Sequence, residues 1–95
     1  MRVKLSTLIK GDLAAIADYI AQDNPERAVT FIQEIRKEFA RIRRTPLQHR
    51  LRPEIAADVR IAIVGQYVIL YRIVGKVVRI ERVVYGGRDL PRLLQ

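Results

Sequence analysis

Cysteine is absent from the 95 residues, and histidine and serine occur once each, as His49 and Ser6. Without cysteine there is no disulfide framework and no thiolate metal site. His49 lies in a basic loop with no carboxylate cluster beside it, so neither a metal centre nor a Cys/His nucleophile can be assembled, and it reads as a surface residue. Ser6 falls at a strand-to-helix junction, where capping is the expected role. Gly86-Gly87 follows a strand but lacks the spacing and the downstream lysine of a phosphate-binding loop. Asp12 and Asp18 lie off one another's helix face and are not paired carboxylates. No apolar run approaches the roughly 20 residues that cross a bilayer, and Met1-Arg2-Val3-Lys4-Leu5 lacks the apolar stretch of a signal peptide. The expectation is a cytoplasmic protein with no cofactor, no metal and no membrane contact.

What the chain has in surplus is positive charge. Lysine and arginine number 18 against 10 acidic residues, a net +8, and arginine supplies 14 of the 18. Arginine's planar fork binds carboxylates and phosphates in bidentate fashion and stacks on bases, so the surplus favours an anionic macromolecular partner, nucleic acid or acidic protein. At this length residues 1–95 make one domain, which buries roughly 60 to 65% of its unfolded surface.

Periodicity divides the chain into two halves. Val3 and Leu5 alternate with Arg2 and Lys4 in a short strand over Met1 to Ser6. Ile9, Leu13, Ile16, Ala17 and Ile20 then form one stripe of a helix from about Thr7 to Gln22, its start weakened by Gly11. Asn24 as N-cap and Pro25 at the first helical position begin a second helix, stopped by Thr45-Pro46. Its seam of Ala28, Ile32, Ile35, Phe39 and Ile42 predicts an antiparallel helical hairpin, with Glu34 near Lys37 and Glu38 near Arg41 outside. Leu47 to Ala57 reads as a loop. From Val59 to Tyr85 three strands are joined by Gly65-Gln66 and Gly75-Lys76, each with glycine first, as type II′ turns prefer. Strict alternation then puts Arg60, Ala62, Tyr71, Ile80, Arg82 and Val84 on one face and Val59, Ile61, Leu70, Glu81 and Val83 on the other. Both faces are apolar, so the hairpin covers one and something, in so small a domain a partner chain, covers part of the other.

Three groups of polar residues remain as candidates. Arg41, Arg43, Arg44, Arg50 and Arg52 form a basic patch where the second helix ends, complementing its dipole and attracting phosphate. Arg60 opposes Tyr71, with Arg82 on the neighbouring strand. Tyr85, Arg88 and Asp89 follow the last strand, where Gly86-Gly87 can take positive φ, and Asp89 either orients the Arg88 fork or caps a short turn from Leu90 to Leu94.

In order and spacing, five segments resemble the RelE/ParE superfamily of bacterial toxins from type II toxin–antitoxin modules, the ParE branch in particular. They are Asp12 to Ile20, Asn24-Pro25 with Ala28, Thr45-Pro46, Arg60 with Val64 to Arg72, and Arg82 to Asp89. The resemblance implies an α+β fold: an N-terminal strand, an antiparallel helical hairpin, a three-stranded antiparallel meander and a short C-terminal turn or helix. It implies an acidic antitoxin that wraps the toxin in a hetero-oligomer. For ParE-like members it implies action on DNA gyrase, stalled on cleaved DNA, so that contact with DNA is indirect. RelE-like members instead cut mRNA on the ribosome, with a tyrosine or histidine-tyrosine pair near the C-terminus. Here the chain ends Pro91-Arg92-Leu93-Leu94-Gln95, which favours the ParE branch, with Tyr85, Arg88 and Asp89 as a contact tip and no catalytic residues. The family often has histidine at the place of Tyr85 and glycine where Gln48 and His49 stand. Two alternatives stay open. One is an mRNA endonuclease using Arg60, Arg82, Tyr85 and Arg88; the other is an inactive member that only pairs with its antitoxin.

Overall fold

The computed structural model describes residues 1–94. In chain order the elements are β1 (Arg2–Leu5), α1 (Ile9–Ala21), α2 (Pro25–Arg44), β2 (Arg60–Val64), β3 (Tyr67–Val74), β4 (Val77–Tyr85) and α3 (Leu90–Leu93). The helices start and stop where local chemistry requires. Asn24 is extended at φ −151°, and its side chain accepts the Arg27 N–H at 3.1 Å, with Pro25 following as the first helical residue. Gly65 and Gly75 sit at φ 58° and 61°, and no other residue described has positive φ, which is the signature of type II′ turns. Val64 pairs with Tyr67 and Val74 with Val77, as these turns dictate.

The sheet order is β1-β4-β3-β2, with β1 parallel to β4 at one edge. On one face α1 and α2 bury Ile9, Leu13, Ile16, Phe31, Ile35, Phe39 and Ile42 against Ala62, Ile69, Tyr71, Val78, Ile80 and Val83. Phe31 joins this core while Ile32 is only partly buried, a shift of one position along the expected seam. Glu34 turns to Arg27 at 2.9 Å rather than to Lys37, whereas Arg41 meets Glu38 at 3.3 Å as the spacing implies. The second face needs no partner chain for most of its cover. Ile55 and Val59 of the loop pack on Ile61, Val68, Leu70 and Val84, and Leu90, Leu93 and Leu94 join from the C-terminal turn. Ile63, Leu51 and Val74 stay exposed.

Strict alternation fails in β4. Tyr71 pairs with Ile80 but Leu70 pairs with Arg82, so Glu81 is one residue too many and forms a β-bulge. The bulge exchanges the expected faces of Val83 and Val84: Val83 joins the core beneath the helices and Val84 the opposite cluster. Groups displaced from the ladder find side chains instead. Ser6 Oγ donates to the Glu81 carbonyl at 2.7 Å, and the Val83 N–H donates to Asp12 Oδ2 at 3.0 Å. Ser6 also accepts the Leu8 N–H at 3.3 Å, so it anchors the start of α1 as well as the bulge.

Tyr71 fastens the connection from α2 to β2. Its ring is fully buried and its hydroxyl donates to the Pro46 carbonyl at 2.6 Å. Arg60 Nη1 donates to the His49 carbonyl at 2.6 Å, and His49 Nε2 lies 3.6 Å from Glu38, so His49 is half-buried rather than a free surface residue. Burial pushes the Tyr71 phenol up to about 12, with Arg60 opposing and Glu38 adding to the shift. An unfolded tyrosine ionises near 10, so the folded chain holds this proton more tightly and that contribution to stability is complete below pH 10. It is lost between about pH 10 and 12, at about 1.4 kcal/mol per pH unit. Urea denaturation across that window will show this decline. Tyr71→Phe will lose about 1 kcal/mol at neutral pH and flatten the alkaline slope; an unchanged slope would mean that other groups cause it.

Candidate functional site

At the end of β4 the chain leaves the ladder one residue late. The Gly86 N–H donates to the Gln66 carbonyl at 2.9 Å, and the Arg88 N–H to the Tyr85 carbonyl at 3.2 Å, closing a turn that leads into α3. Neither glycine has positive φ, contrary to the expectation from sequence. Gly87 is required for space: a Cβ there would lie 2.5 Å from Cε2 of Tyr85, so its absence lets the tyrosine ring lie against the turn. Asp89 occupies the N-cap position of α3, yet its side chain makes no capping bond. Among the described residues Arg88 forms no ion pair and no side-chain hydrogen bond, so the expected Arg88–Asp89 contact does not form. The five N–H donors of Arg88 remain unclaimed at an exposed turn.

Beside Arg88 is an aromatic stack. Tyr85, 51% exposed, meets Tyr67 nearly edge-on at 79° and 6.2 Å between centroids. Tyr67 in turn tilts over Phe31 at 5.5 Å. Between α1 and the end of β4 a cavity of about 170 Å³ opens among Asp12, Ala15, Ile16, Tyr67, Val83, Val84, Tyr85 and Arg88.

Arg82 is not available to a ligand. Its Nε and Nη2 donate to the two carboxylate oxygens of Asp12 at 2.8 Å each, with side chains only 17% and 10% exposed. These bonds hold the guanidinium above its ordinary pKa, against the opposing effect of burial. Because Asp12 also accepts the Val83 N–H, both of its oxygens are engaged by donors of the fold itself. Arg60 lies at the start of β2 opposite Tyr71, while Tyr85 lies opposite Tyr67. Four residues along a strand is about 13 Å, so Arg60, Arg82, Tyr85 and Arg88 are not gathered around one point.

The basic patch is likewise separate from the tip. Arg43, Arg44 and Arg50 are exposed, Arg41 meets Glu38, and Arg52 meets Glu54. Pro46, just beyond α2, touches Tyr71, which places this patch towards the middle of β3 rather than at its Tyr67 end. Sequence reasoning named Tyr85 and Arg88 but missed Tyr67 and the cavity. The available signal was the type II′ turn at Gly65-Gln66, which places Tyr67 at the hairpin end where β4 finishes. Asp12 had no such signal, since its partner lies 70 residues away.

The chain is similar to known proteins both in sequence and in fold. Residues 3–90 fit the family model described as ParE toxin of type II toxin–antitoxin system, parDE. A solved structure described as the chromosomal ParDE TA system from P. aeruginosa aligns with a TM-score of 0.78 and 26% identity, over 90% of this chain and 95% of that one. No curated protein matches in sequence.

Proposed function

The chain belongs to the ParE toxin family of type II toxin–antitoxin systems, and from that premise we propose that it inhibits DNA gyrase by binding, without chemistry of its own. The observation that carries this reading is the exposed turn at Arg88, whose guanidinium is free beside a packed aromatic surface, while Arg82 is paired with Asp12 and Arg60 is held at the His49 carbonyl opposite Tyr71. Arginine and tyrosine dominate the energetics of protein–protein contacts, and charge is least costly to present where no internal partner competes for it. The setting is the cytoplasm, where gyrase is met; among the described residues no helix is long and apolar enough to cross a membrane.

Neutralisation falls to an acidic antitoxin. The net charge of +8 supports it, as does the exposed apolar surface of Ile63 and Leu51 on the outer side of β2, beside Arg50 and Arg52. An acidic segment that orders against this edge hides the patch, and its affinity will fall as salt rises.

The test separates contact from chemistry at one atom. Expressed without antitoxin, the chain will induce the SOS response and filamentation, and Tyr85→Phe, which keeps the ring and removes the phenolic proton, will leave toxicity largely intact. Tyr85→Ala will lose it. Codon-phased mRNA cleavage on programmed ribosomes that vanishes in Tyr85→Phe would instead establish a nuclease.

A further inference from the structure

Two of the chain's four tyrosines meet at the exposed end of the sheet, and a third projects from the neighbouring helix α1. Tyr67 and Tyr85 are in edge contact. Ala15 and Ile16 of α1 line the cavity beneath them, and Tyr19 follows one turn later on the same helix face, 68% exposed. Behind the effect of burial, Tyr19 and Tyr85 both raise the Tyr67 phenol, which accords with the three rings lying close together. Tyrosine joins an apolar ring to a polar tip and is enriched at protein interfaces, and Tyr19 presents its ring from α1 largely to solvent.

We propose that Tyr19, Tyr67 and Tyr85 frame an anchor pocket that accepts one apolar side chain of a protein target, while Arg88 at its rim pairs with a carboxylate beside that side chain. This deepens the gyrase reading and rests on it. A cavity of about 170 Å³ suits a single aliphatic or aromatic side chain, and filled pockets ringed by aromatics are where binding energy concentrates. A nucleic-acid occupant fits less well. Tyr67 and Tyr85 stand at 79° to one another and leave no parallel slot for a base. Arg88 is one cation, Arg82 is neutralised by Asp12, and the arginines suited to phosphates lie at the far end of α2. The pocket therefore adds a hydrophobic contact next to the charged one, with α1 as its second wall.

Two variants test it with the full-length chain and purified gyrase, read as inhibition of supercoiling and accumulation of cleaved DNA. Tyr19→Ala removes an exposed ring, and Ala15→Phe fills the cavity from an exposed position without deleting any contact group. Each will raise the concentration for half-inhibition about tenfold or more while circular-dichroism melting stays near wild type. Lys76→Ala, at the opposite end of the β3–β4 hairpin, will leave it unchanged. If both pocket variants inhibit gyrase as the wild type does, the pocket proposal is overturned and the gyrase reading stands. If the wild-type chain leaves gyrase unaffected, the reading falls and the proposal with it. Tight binding of the wild type to a single-stranded oligonucleotide alone, lost in Tyr19→Ala, would assign the surface to nucleic acid and overturn the protein anchor.

Discussion

Asp12→Ala will lower the stability of the chain by about 3 kcal/mol, a large part of the 5–15 kcal/mol typical of a domain. The carboxylate serves three donors at once: Nε and Nη2 of Arg82 at 2.8 Å and the Val83 N–H at 3.0 Å. Removing it leaves a guanidinium only 17% exposed without its partner and a bulge amide without an acceptor. An orphan charge that keeps some access to water costs less than the 3–5 kcal/mol seen for full burial, but the lost amide bond adds about 1–3 kcal/mol. For a domain of this size, 3 kcal/mol corresponds to a fall in Tm of about 12–24 °C. Thermal and urea denaturation of Asp12→Ala, Arg82→Met and the double variant will show the charges coupled, with the double variant more stable than the sum of the single losses predicts. A Tm within 3 °C of wild type for Asp12→Ala would reduce the pair to an ordinary surface contact, worth about 0–1 kcal/mol.

That pair also illustrates which parts of the fold were legible in the sequence. Local rules sufficed for the helical hairpin, because Asn24-Pro25 caps α2 within four residues and the apolar stripes repeat at helical spacing. They also sufficed for the hairpin registers, since a two-residue turn leaves no freedom in pairing. Long-range choices were beyond such rules. A four-residue β1 carries no mark of its partner, yet it joins the sheet parallel to β4, some 75 residues later. The Glu81 bulge could have been seen in the spacing of three between Ile80 and Val83, which breaks the period of two, but alternation was extended through it. The loop from Leu47 to Ala57 lacked periodicity because Ile55 caps the second sheet face as an isolated contact rather than as part of an element. At the site, Tyr85 and Arg88 stood out because glycines mark them. Tyr19 and Tyr67 did not, because a tyrosine on an outer helix face or at a strand end looks the same whether it is covered or presented.

Position and chemistry together make the tip the place where one substitution separates fold from function. Arg88→Ala will remain folded, with a Tm within about 3 °C of wild type, because Arg88 is exposed and among the described residues its side chain forms no ion pair and no hydrogen bond. Its backbone N–H, which closes the turn on Tyr85, is retained. Antitoxin binding will weaken less than tenfold, since one of 18 basic residues is removed and the exposed edge at Ile63 is untouched. On the proposed gyrase reading, inhibition will fall about 30-fold to 1000-fold, the effect of truncating an arginine paired within a contact, and growth arrest will be lost with it. Arg88→Lys distinguishes recognition from simple attraction. Lysine keeps the charge but loses the planar fork, so a bidentate carboxylate contact predicts that most of the inhibition disappears, whereas long-range steering predicts that it survives. Dose–response curves for the two variants, alongside their melting curves and antitoxin affinities, decide the matter. A stable Arg88→Ala that stalls gyrase at the wild-type concentration would remove the tip from the binding surface and leave the arginines at the end of α2 as the next surface to mutate.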